Sequence, residues 1–204
     1  GSRITRTLSQ AVFKAGSAVI AQMKGKMAVR FGVDTEFVEY EGGYFYARDN
    51  QDSKVSFKDA GAAVTKNGSN IVATASNDPG MRPANGYAMS IADVEVDPET
   101  GKIQLTDFTI FQDVGKCVNP TQVENQMQGG AVQGIGWALS EEYVYDDQGL
   151  MRNASFLDYR MPTALDLPMI GTVILETPAD DGAFGIRGVG EPPIIAPPAA
   201  IANA

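Results

Sequence analysis

Histidine is absent from this chain of 204 residues, and cysteine occurs once, at Cys117. Without histidine, the chain cannot supply a Ser–His or Cys–His catalytic pair or a histidine-ligated zinc site. A single cysteine excludes an internal disulfide and a four-cysteine iron–sulfur cluster within the chain. We expect Cys117 to be a small buried apolar side chain. The acid–base groups that remain are carboxylates, lysines and tyrosines.

Basic runs and long apolar segments are also missing. The net charge of −9 argues against nucleic acid as a partner, because no basic run offsets it. The apolar stretches are far shorter than a membrane span, and no charged-then-apolar leader is visible, so we expect a cytoplasmic protein without a membrane span. Hydrophobic residues make up 44% of the chain and charged residues 20%, which is ordinary for a globular protein with a substantial core.

Glycine and proline, by contrast, are concentrated in the segment Gly185-Ile186-Arg187-Gly188-Val189-Gly190-Glu191-Pro192-Pro193. The glycines let the backbone come close to another object, and the two prolines favour an extended conformation at Glu191. A side chain aimed this rigidly suits a catalytic base. The same pattern also suits a tight turn in which Glu191 caps the following helix, and the spacing alone does not separate these alternatives.

The first half of the chain has the pattern of a scaffold. Apolar residues at helical spacing predict a long amphipathic helix over residues 5–31. These residues are Leu8, Val12, Ala15, Val19, Met23 and Met27. A hairpin is predicted over 37–46, a short helix over 57–66 and a strand over 71–75. The loop over 77–86 is rich in Asn, Asp, Pro and Gly, and forms either a linker or one wall of a pocket.

The second half predicts another hairpin and a second helix. Strands over 87–96 and 103–114 flank the turn Asp97-Pro98-Glu99-Thr100-Gly101. Asn119-Pro120 then predicts an N-cap followed by the first residue of a helix that ends near Leu139.

A third strand over 141–146 and a C-terminal helix near Pro197-Pro198 complete the predicted second sheet and its helices. We therefore predict an α+β fold of two α/β subdomains, each with helices packed on a mostly antiparallel or mixed sheet. The first subdomain covers residues 1–86 and the second covers residues 87–204. The sequence does not determine the order of the strands.

The helix that begins at Pro120 has two distinct faces. One face carries Ala131, Val132, Ile135 and Leu139, which we expect to pack on the sheet. The other face carries Gln126, Gly129, Gly130, Gln133 and Trp137. Its glycines each cost about 1 kcal/mol relative to alanine, and they clear space beside the two amides. This face either binds a ligand with many donors and acceptors or packs tightly against a neighbouring element.

Four motifs occur in one order along the chain. They are DVGKCVNP (residues 113–120), QMQGGAVQGIG (126–136), DYRMPT (158–163) and FGIRGVGEPP (184–193). Together they resemble the C-terminal part of the molybdenum-binding large subunit of the xanthine oxidase and aldehyde oxidoreductase family. The resemblance covers most of the chain and is densest over 87–204. The start, Gly1-Ser2-Arg3, is similar to the family's loop at the pyranopterin.

The resemblance implies roles for individual residues. Glu191 matches the glutamate that acts as general base on the molybdenum-bound hydroxyl. The residues implied to contact the pyranopterin are Gln126, Gln133, Gly130, Gly190, Ser2 and Arg3, and no residue of the chain is implied as a metal ligand. The implied cofactor is molybdopterin or molybdopterin cytosine dinucleotide with molybdenum. The implied reaction hydroxylates an electron-poor carbon with oxygen from water.

The resemblance also implies partners. These are the remainder of the molybdenum-binding subunit, chains or domains that carry iron–sulfur clusters and FAD, and a small-molecule substrate. Because the family's subunit is much longer, we expect this chain to be a fragment or one piece of a split subunit, inactive alone. Aldehydes, purines and other N-heterocycles all remain possible substrates.

Two other functions compete with the oxidoreductase. A non-catalytic structural partner that keeps the family fold is the main alternative, although Glu191 and Gln126 are both present. A carboxylate-based hydrolase is a third possibility, but no second acidic residue lies at a convincing spacing from Glu191. The sequence departs from the usual family pattern at Arg187, Gln128 and Gln112, the last at a position where histidine is common, so the details of cofactor contact are less defined than the base.

Overall fold

The computed structural model describes residues 2–68, 70–77, 80, 85–180 and 182–204. The chain divides into two compact units, one formed by Leu8–Pro79 and the other by Gly1–Thr7 together with Gly80–Ala204. The boundary predicted near residue 86 adjoins residues outside the described part of the chain and stays a prediction.

Helix α1 spans Ile4–Phe31, which confirms the predicted long helix. Its apolar residues are not all in a core, because Leu8 and Val12 are exposed whereas Met23 and Met27 are buried. The physical reason is length. A helix of 28 residues is about 42 Å long, and the core of the unit Leu8–Pro79 packs on its second half, from Val19 onward.

The smaller unit contains a three-stranded antiparallel sheet in the order β1-β2-β3. Its strands are β1 (Val38–Glu41), β2 (Tyr44–Ala47) and β3 (Asn50–Ser56), followed by helix α2 (Phe57–Lys66). The predicted hairpin and the predicted helix over 57–66 are thus confirmed. Strand β3 was not predicted, since its first five residues are all exposed and show no alternation. Phe45 is fully buried at the centre of this unit's core, which also includes Met23 and Met27.

The strand predicted over 71–75 is wrong. The described residues 70–77 form no regular structure, and the Gln22 side-chain amide donates to the Val72 carbonyl at 3.0 Å. A side-chain donor thus takes the place of a ladder partner at Val72. The loop predicted over 77–86 lies largely outside the described residues.

The larger unit contains a sheet in the order β4-β5-β6. Strand β4 (Tyr87–Val96) pairs antiparallel with β5 (Ile103–Asp113), as predicted, and β5 pairs parallel with β6 (Ile170–Leu175). The prediction that the third strand lies over 141–146 is wrong. That segment carries three acidic residues and makes only an isolated bridge between Tyr145 and Met151, whereas β6 is an uncharged run that fits a covered sheet.

Helix α3 (Pro120–Leu139) confirms the predicted second helix, and the Asn119 side chain caps it by accepting from the Gln122 N–H at 3.2 Å. Ala131 and Ile135 are wholly buried against the sheet, with Val132 and Leu139 packed at the edge of the same core, which confirms the predicted buried face. Two short helices follow, α4 (Pro192–Ile195) and α5 (Pro197–Asn203).

The architecture confirms the predicted α+β class: one small antiparallel sheet and one mixed sheet, each packed with helices. Within the described ranges, no helix is long and apolar enough to cross a membrane. The cytoplasmic location stays a prediction.

Candidate functional site

The segment from Gly185 to Glu191, called the glycine loop below, is held largely by its backbone. The Gly185 carbonyl accepts from the Lys116 N–H at 2.9 Å, and the Arg187 N–H donates to the Val114 carbonyl at 3.0 Å. Gly115 and Ile186 form an isolated antiparallel bridge between these bonds. The loop is therefore joined to the residues that follow β5.

Glu191 does not have the extended conformation that the prolines predict. Its φ of −95° and ψ of −33° are helical, and its carbonyl accepts from the Ile194 N–H at 3.2 Å. This bond, together with the packing of Pro193, outweighs the local preference before proline. Glu191 occupies the N-cap position of α4 without a side-chain cap, and it is exposed. The side-chain cap considered from the sequence is not formed.

Two glycines of α3 make room for α4. A Cβ at Gly130 would lie 2.6 Å from the Pro193 Cβ, and a Cβ at Gly134 would lie 2.9 Å from the Ile194 carbonyl oxygen. Gly129, in contrast, has open space beside it. Tight helix packing therefore accounts for Gly130 and Gly134, and a cofactor contact of Gly130 stays a prediction.

A cleft of about 430 Å³ lies between the start of α1, the start of α3 and the glycine loop. Ser2, Gln126 and Gly190 all line it, as do the two basic residues Lys116 and Arg187. The structure thus brings three of the predicted cofactor-contacting residues to one place.

Ser2 approaches the glycine loop closely. A Cβ at Gly188 would lie 2.8 Å from the Ser2 carbonyl oxygen, and a Cβ at Gly190 would lie 2.8 Å from the Ser2 Oγ. Ser2 itself has a φ of 49°, a conformation that side-chain-bearing residues rarely adopt. On the other side, Gln126 Nε2 donates to the Gly190 carbonyl at 3.5 Å. Only glycine at 188 and 190 allows this approach without a shift.

Other predicted residues lie outside the cleft. Gln133 is exposed and stands about 10 Å further along α3 than Gln126. Arg3 is exposed, and neither Arg3 nor Glu191 is among the residues that line the cleft. Glu191 nevertheless follows directly on Gly190. The cofactor contacts of Gln133 and Arg3 stay predictions.

A largely buried ion pair joins the glycine loop to the end of β5. Arg187 Nε lies 3.2 Å from Asp113 Oδ2 and donates to the Thr177 carbonyl at 2.9 Å, while Arg187 Nη1 donates to the Asn85 carbonyl at 2.6 Å. Asp113 Oδ1 accepts from the N–H groups of Gly115 and Thr177, each at 3.0 Å. Sequence reasoning missed this network, although both charged residues lie within the quoted motifs.

Cys117 is half-buried, not fully buried as the sequence led us to expect. Its backbone N–H donates to Glu176 Oε1 at 2.5 Å, and Lys116 Nζ lies 3.3 Å from the same oxygen. Burial, and then the charge of Glu176, raise the pKa of the Cys117 thiol. The side chain is therefore a neutral thiol at pH 7, which suits neither a nucleophile nor a metal ligand.

The segment with the DYRMPT motif is anchored to the end of α3. Tyr159 Oη donates to Glu141 Oε2 at 2.7 Å, and Ser140 Oγ donates to the Arg160 carbonyl at 2.9 Å. A Cβ at Gly136 would collide with the Glu141 carboxylate. The absence of a side chain at Gly136 thus leaves room for the Glu141 carboxylate, which holds Tyr159.

Titration of Tyr159 should detect its hydrogen bond to Glu141. The hydrogen bond to Glu141, with burial as the second cause, raises the pKa of Tyr159 to about 12. Because the folded pKa exceeds that of the unfolded chain, the bond's contribution is present below pH 10 and is lost as the pH rises through about 12. Ultraviolet difference titration against Tyr159→Phe measures this pKa, and Glu141→Gln should lower it. An unchanged value in Glu141→Gln would contradict the assignment.

Comparison with known proteins agrees with the geometry. A family model of the molybdopterin cofactor-binding domain matches residues 1–168. The chain is 33% identical over 214 residues to the 6-hydroxypseudooxynicotine dehydrogenase complex subunit gamma of Paenarthrobacter nicotinovorans, which covers all of this chain and 26% of that subunit. It is 40% identical over 119 residues to a putative xanthine dehydrogenase molybdenum-binding subunit of Escherichia coli, covering 58% of this chain and 16% of that protein.

Among solved structures, quinoline 2-oxidoreductase from Pseudomonas putida superposes with a TM-score of 0.84 at 33% identity, covering all of this chain and 27% of that one. The chain therefore spans about a quarter of the length of the relatives that it matches from end to end. The family model covers most of the sequence, and three of the four motifs, those over 113–120, 126–136 and 184–193, contribute residues to the cleft. On this evidence the chain belongs to the molybdopterin cofactor-binding domain family, as part of a molybdenum-binding subunit of the xanthine oxidase and aldehyde oxidoreductase type.

Proposed function

We propose that this chain helps to hold a molybdopterin cofactor and supplies the general base, Glu191, of a molybdenum hydroxylase. The reaction is hydroxylation of an electron-poor carbon with oxygen from water. One observation carries the proposal: Ser2, Gln126 and Gly190 line one cleft, and Glu191 is the next residue after Gly190.

The cleft fits an organic cofactor that brings its own metal. In the described part of the chain, no cluster of three or more cysteine, aspartate or glutamate residues could hold a metal ion. The cleft offers instead the amide of Gln126, which both donates and accepts, and the bare backbone of Gly190. Lys116 and Arg187 also line it, and each is already paired with a carboxylate, Glu176 and Asp113 respectively.

The cofactor, when bound, supplies the redox centre that takes up the substrate's electron pair. Gln126 then serves in binding, because its amide lies at the cleft and already donates to the Gly190 carbonyl. Glu191 would take up a proton from the attacking water at its carboxylate. A carboxylate is a weak base, and it suffices where a metal lowers the pKa of water.

Further chains complete the enzyme in this proposal. The relative from Paenarthrobacter nicotinovorans is named as a subunit of a dehydrogenase complex, and this chain corresponds to a quarter of its length. We therefore propose that the rest of the subunit encloses the substrate. Iron–sulfur and flavin chains would carry the electrons away, and the substrate is a small molecule.

Metal analysis and isotope labelling test the function. The protein purified with its partner chains should contain molybdenum in proportion to this chain, and its product should carry heavy oxygen when the reaction runs in labelled water. Molybdenum without labelled product would reject the hydroxylase chemistry. An assembled complex in which this chain is stoichiometric but molybdenum is absent would favour the non-catalytic structural partner.

A further inference from the structure

Gln112 is a wholly buried amide beside the glycine loop. It is the residue before the last in β5 and has no exposed surface. Its Nε2 donates to two successive carbonyls, those of Gly188 and Val189, each at 3.2 Å. One side chain therefore holds the two peptide groups that precede Gly190.

These two peptide groups lie between stretches that are held by other means. Upstream, Gly185 and Arg187 bond through their backbones to the residues after β5, and downstream the Glu191 carbonyl accepts from Ile194. Gly188 has no side chain to fix its position, and its backbone can take up many conformations. The donor from Gln112 supplies the restraint at this point.

The acceptor oxygen of the same amide indicates why a glutamine occupies this position. Gln112 Oε1 is buried and has no hydrogen-bond partner among the residues that the structure describes. A buried acceptor without a partner is destabilising, so an apolar side chain of the same size would serve better if Gln112 only filled space. The donor half of the amide therefore explains the residue.

We infer that Gln112 is a positioning residue for Glu191: by holding the carbonyls of Gly188 and Val189, it fixes the backbone from which the carboxylate starts. The inference rests on the proposed role of Glu191 as base. Gln112 touches neither substrate nor cofactor in this account and acts only through the loop.

Gln112→Met in the assembled enzyme removes both donors and nearly keeps the volume. We expect kcat to fall about 10- to 100-fold, since a displacement of about 1 Å at a reacting group can cost that much, with KM and molybdenum content unchanged. Hydrogen exchange of the peptide covering 185–195 should become faster. Gln112→His, which keeps a ring N–H donor, should recover part of both effects, and Gln112→Leu, which has no donor, replaces the methionine variant if that one fails to fold.

Gln128→Met is the matched control. Gln128 Nε2 also donates to a backbone carbonyl, that of Ile170, at 3.2 Å, but this bond ties α3 to β6 and not to the glycine loop. Its loss should leave kcat and the exchange of the 185–195 peptide unchanged.

A double-mutant cycle with Glu191→Gln separates positioning from general stability. If Gln112 acts through Glu191, Gln112→Met lowers turnover strongly with Glu191 present and little in the Glu191→Gln background. Equal losses in both backgrounds, or unchanged exchange at 185–195, would overturn the inference. Full turnover in Glu191→Gln alone would reject the proposed base, while the exchange result would still decide whether Gln112 holds the loop.

Discussion

Replacing Glu191 with glutamine should lower turnover of the assembled enzyme by about 10²- to 10⁴-fold, the usual contribution of a general base. The amide has nearly the shape of the carboxylate but cannot take up a proton at neutral pH. Gly190 and Gln126 line the cleft independently of the Glu191 side chain, so the molybdenum content should stay at the wild-type level. Steady-state kinetics and metal analysis on the same preparation measure both quantities.

Glu99→Gln is the control for this change. Glu99 lies in the exposed turn between β4 and β5, at the opposite end of the hairpin from Asp113. The Glu99→Gln variant loses the same charge as Glu191→Gln, and its turnover should equal that of the wild type. Near-normal turnover of Glu191→Gln with full molybdenum would reject the base. Loss of molybdenum in that variant would instead indicate a role in holding the cofactor.

Gly115→Ala should lower the free energy of unfolding by about 2–5 kcal/mol, the sum of a left-handed conformation and an overpacked contact. Gly115 has a φ of +66°, and a Cβ there would collide with the Gly185 carbonyl and lie 2.8 Å from the Arg187 N. Both obstacles are backbone groups, so neither can rotate away as a side chain would. Urea unfolding of the purified protein measures the loss.

Gly101→Ala separates the two contributions. Gly101 has nearly the same φ, +72°, but nothing lies within 4 Å of the position of its Cβ. Its replacement should therefore cost only the conformational part, about 1–2 kcal/mol. Equal losses in the two variants would mean that the contact between Gly115 and the glycine loop contributes nothing.

Elements with strong local signals could be predicted closely from the sequence. The Asn119-Pro120 pair marks the first turn of α3, and the turn over 97–101 sets the register of β4 and β5. Helix α2 likewise begins after Ser56, whose Oγ accepts from the Asp59 N–H at 3.1 Å. In each case the residues that decide the structure are neighbours in the sequence.

Elements that depend on distant partners were predicted poorly. The third strand of the larger sheet is β6 and not 141–146, because the choice depends on which segment can lie beside β5. The conformation of Glu191 depends on Pro193 meeting Gly130 across two helices. Local preference before proline contains no information about that contact.

The candidate site divides in the same way. Gln126 and Gly190 could be identified because they lie in motifs that resemble a known family, and the cleft brings them together with Ser2. Gln112 was seen only as a departure from the family pattern. Its bonds run from one side chain to backbone carbonyls more than seventy positions away, and a carbonyl is present at every residue, so no sequence signal marks it.

The meeting of Ser2 with Gly188 has a consequence for the order of folding. It joins segments from nearly opposite ends of the described chain, and contacts of such long range are costly in loop-closure entropy and form late. The hairpins and helices can form while this contact is still open. During synthesis Ser2 emerges long before Gly190, so a nascent chain has no complete cleft. Under the proposed function the pterin would bind only after this contact forms, and a chain arrested before Gly188 should be unable to retain it.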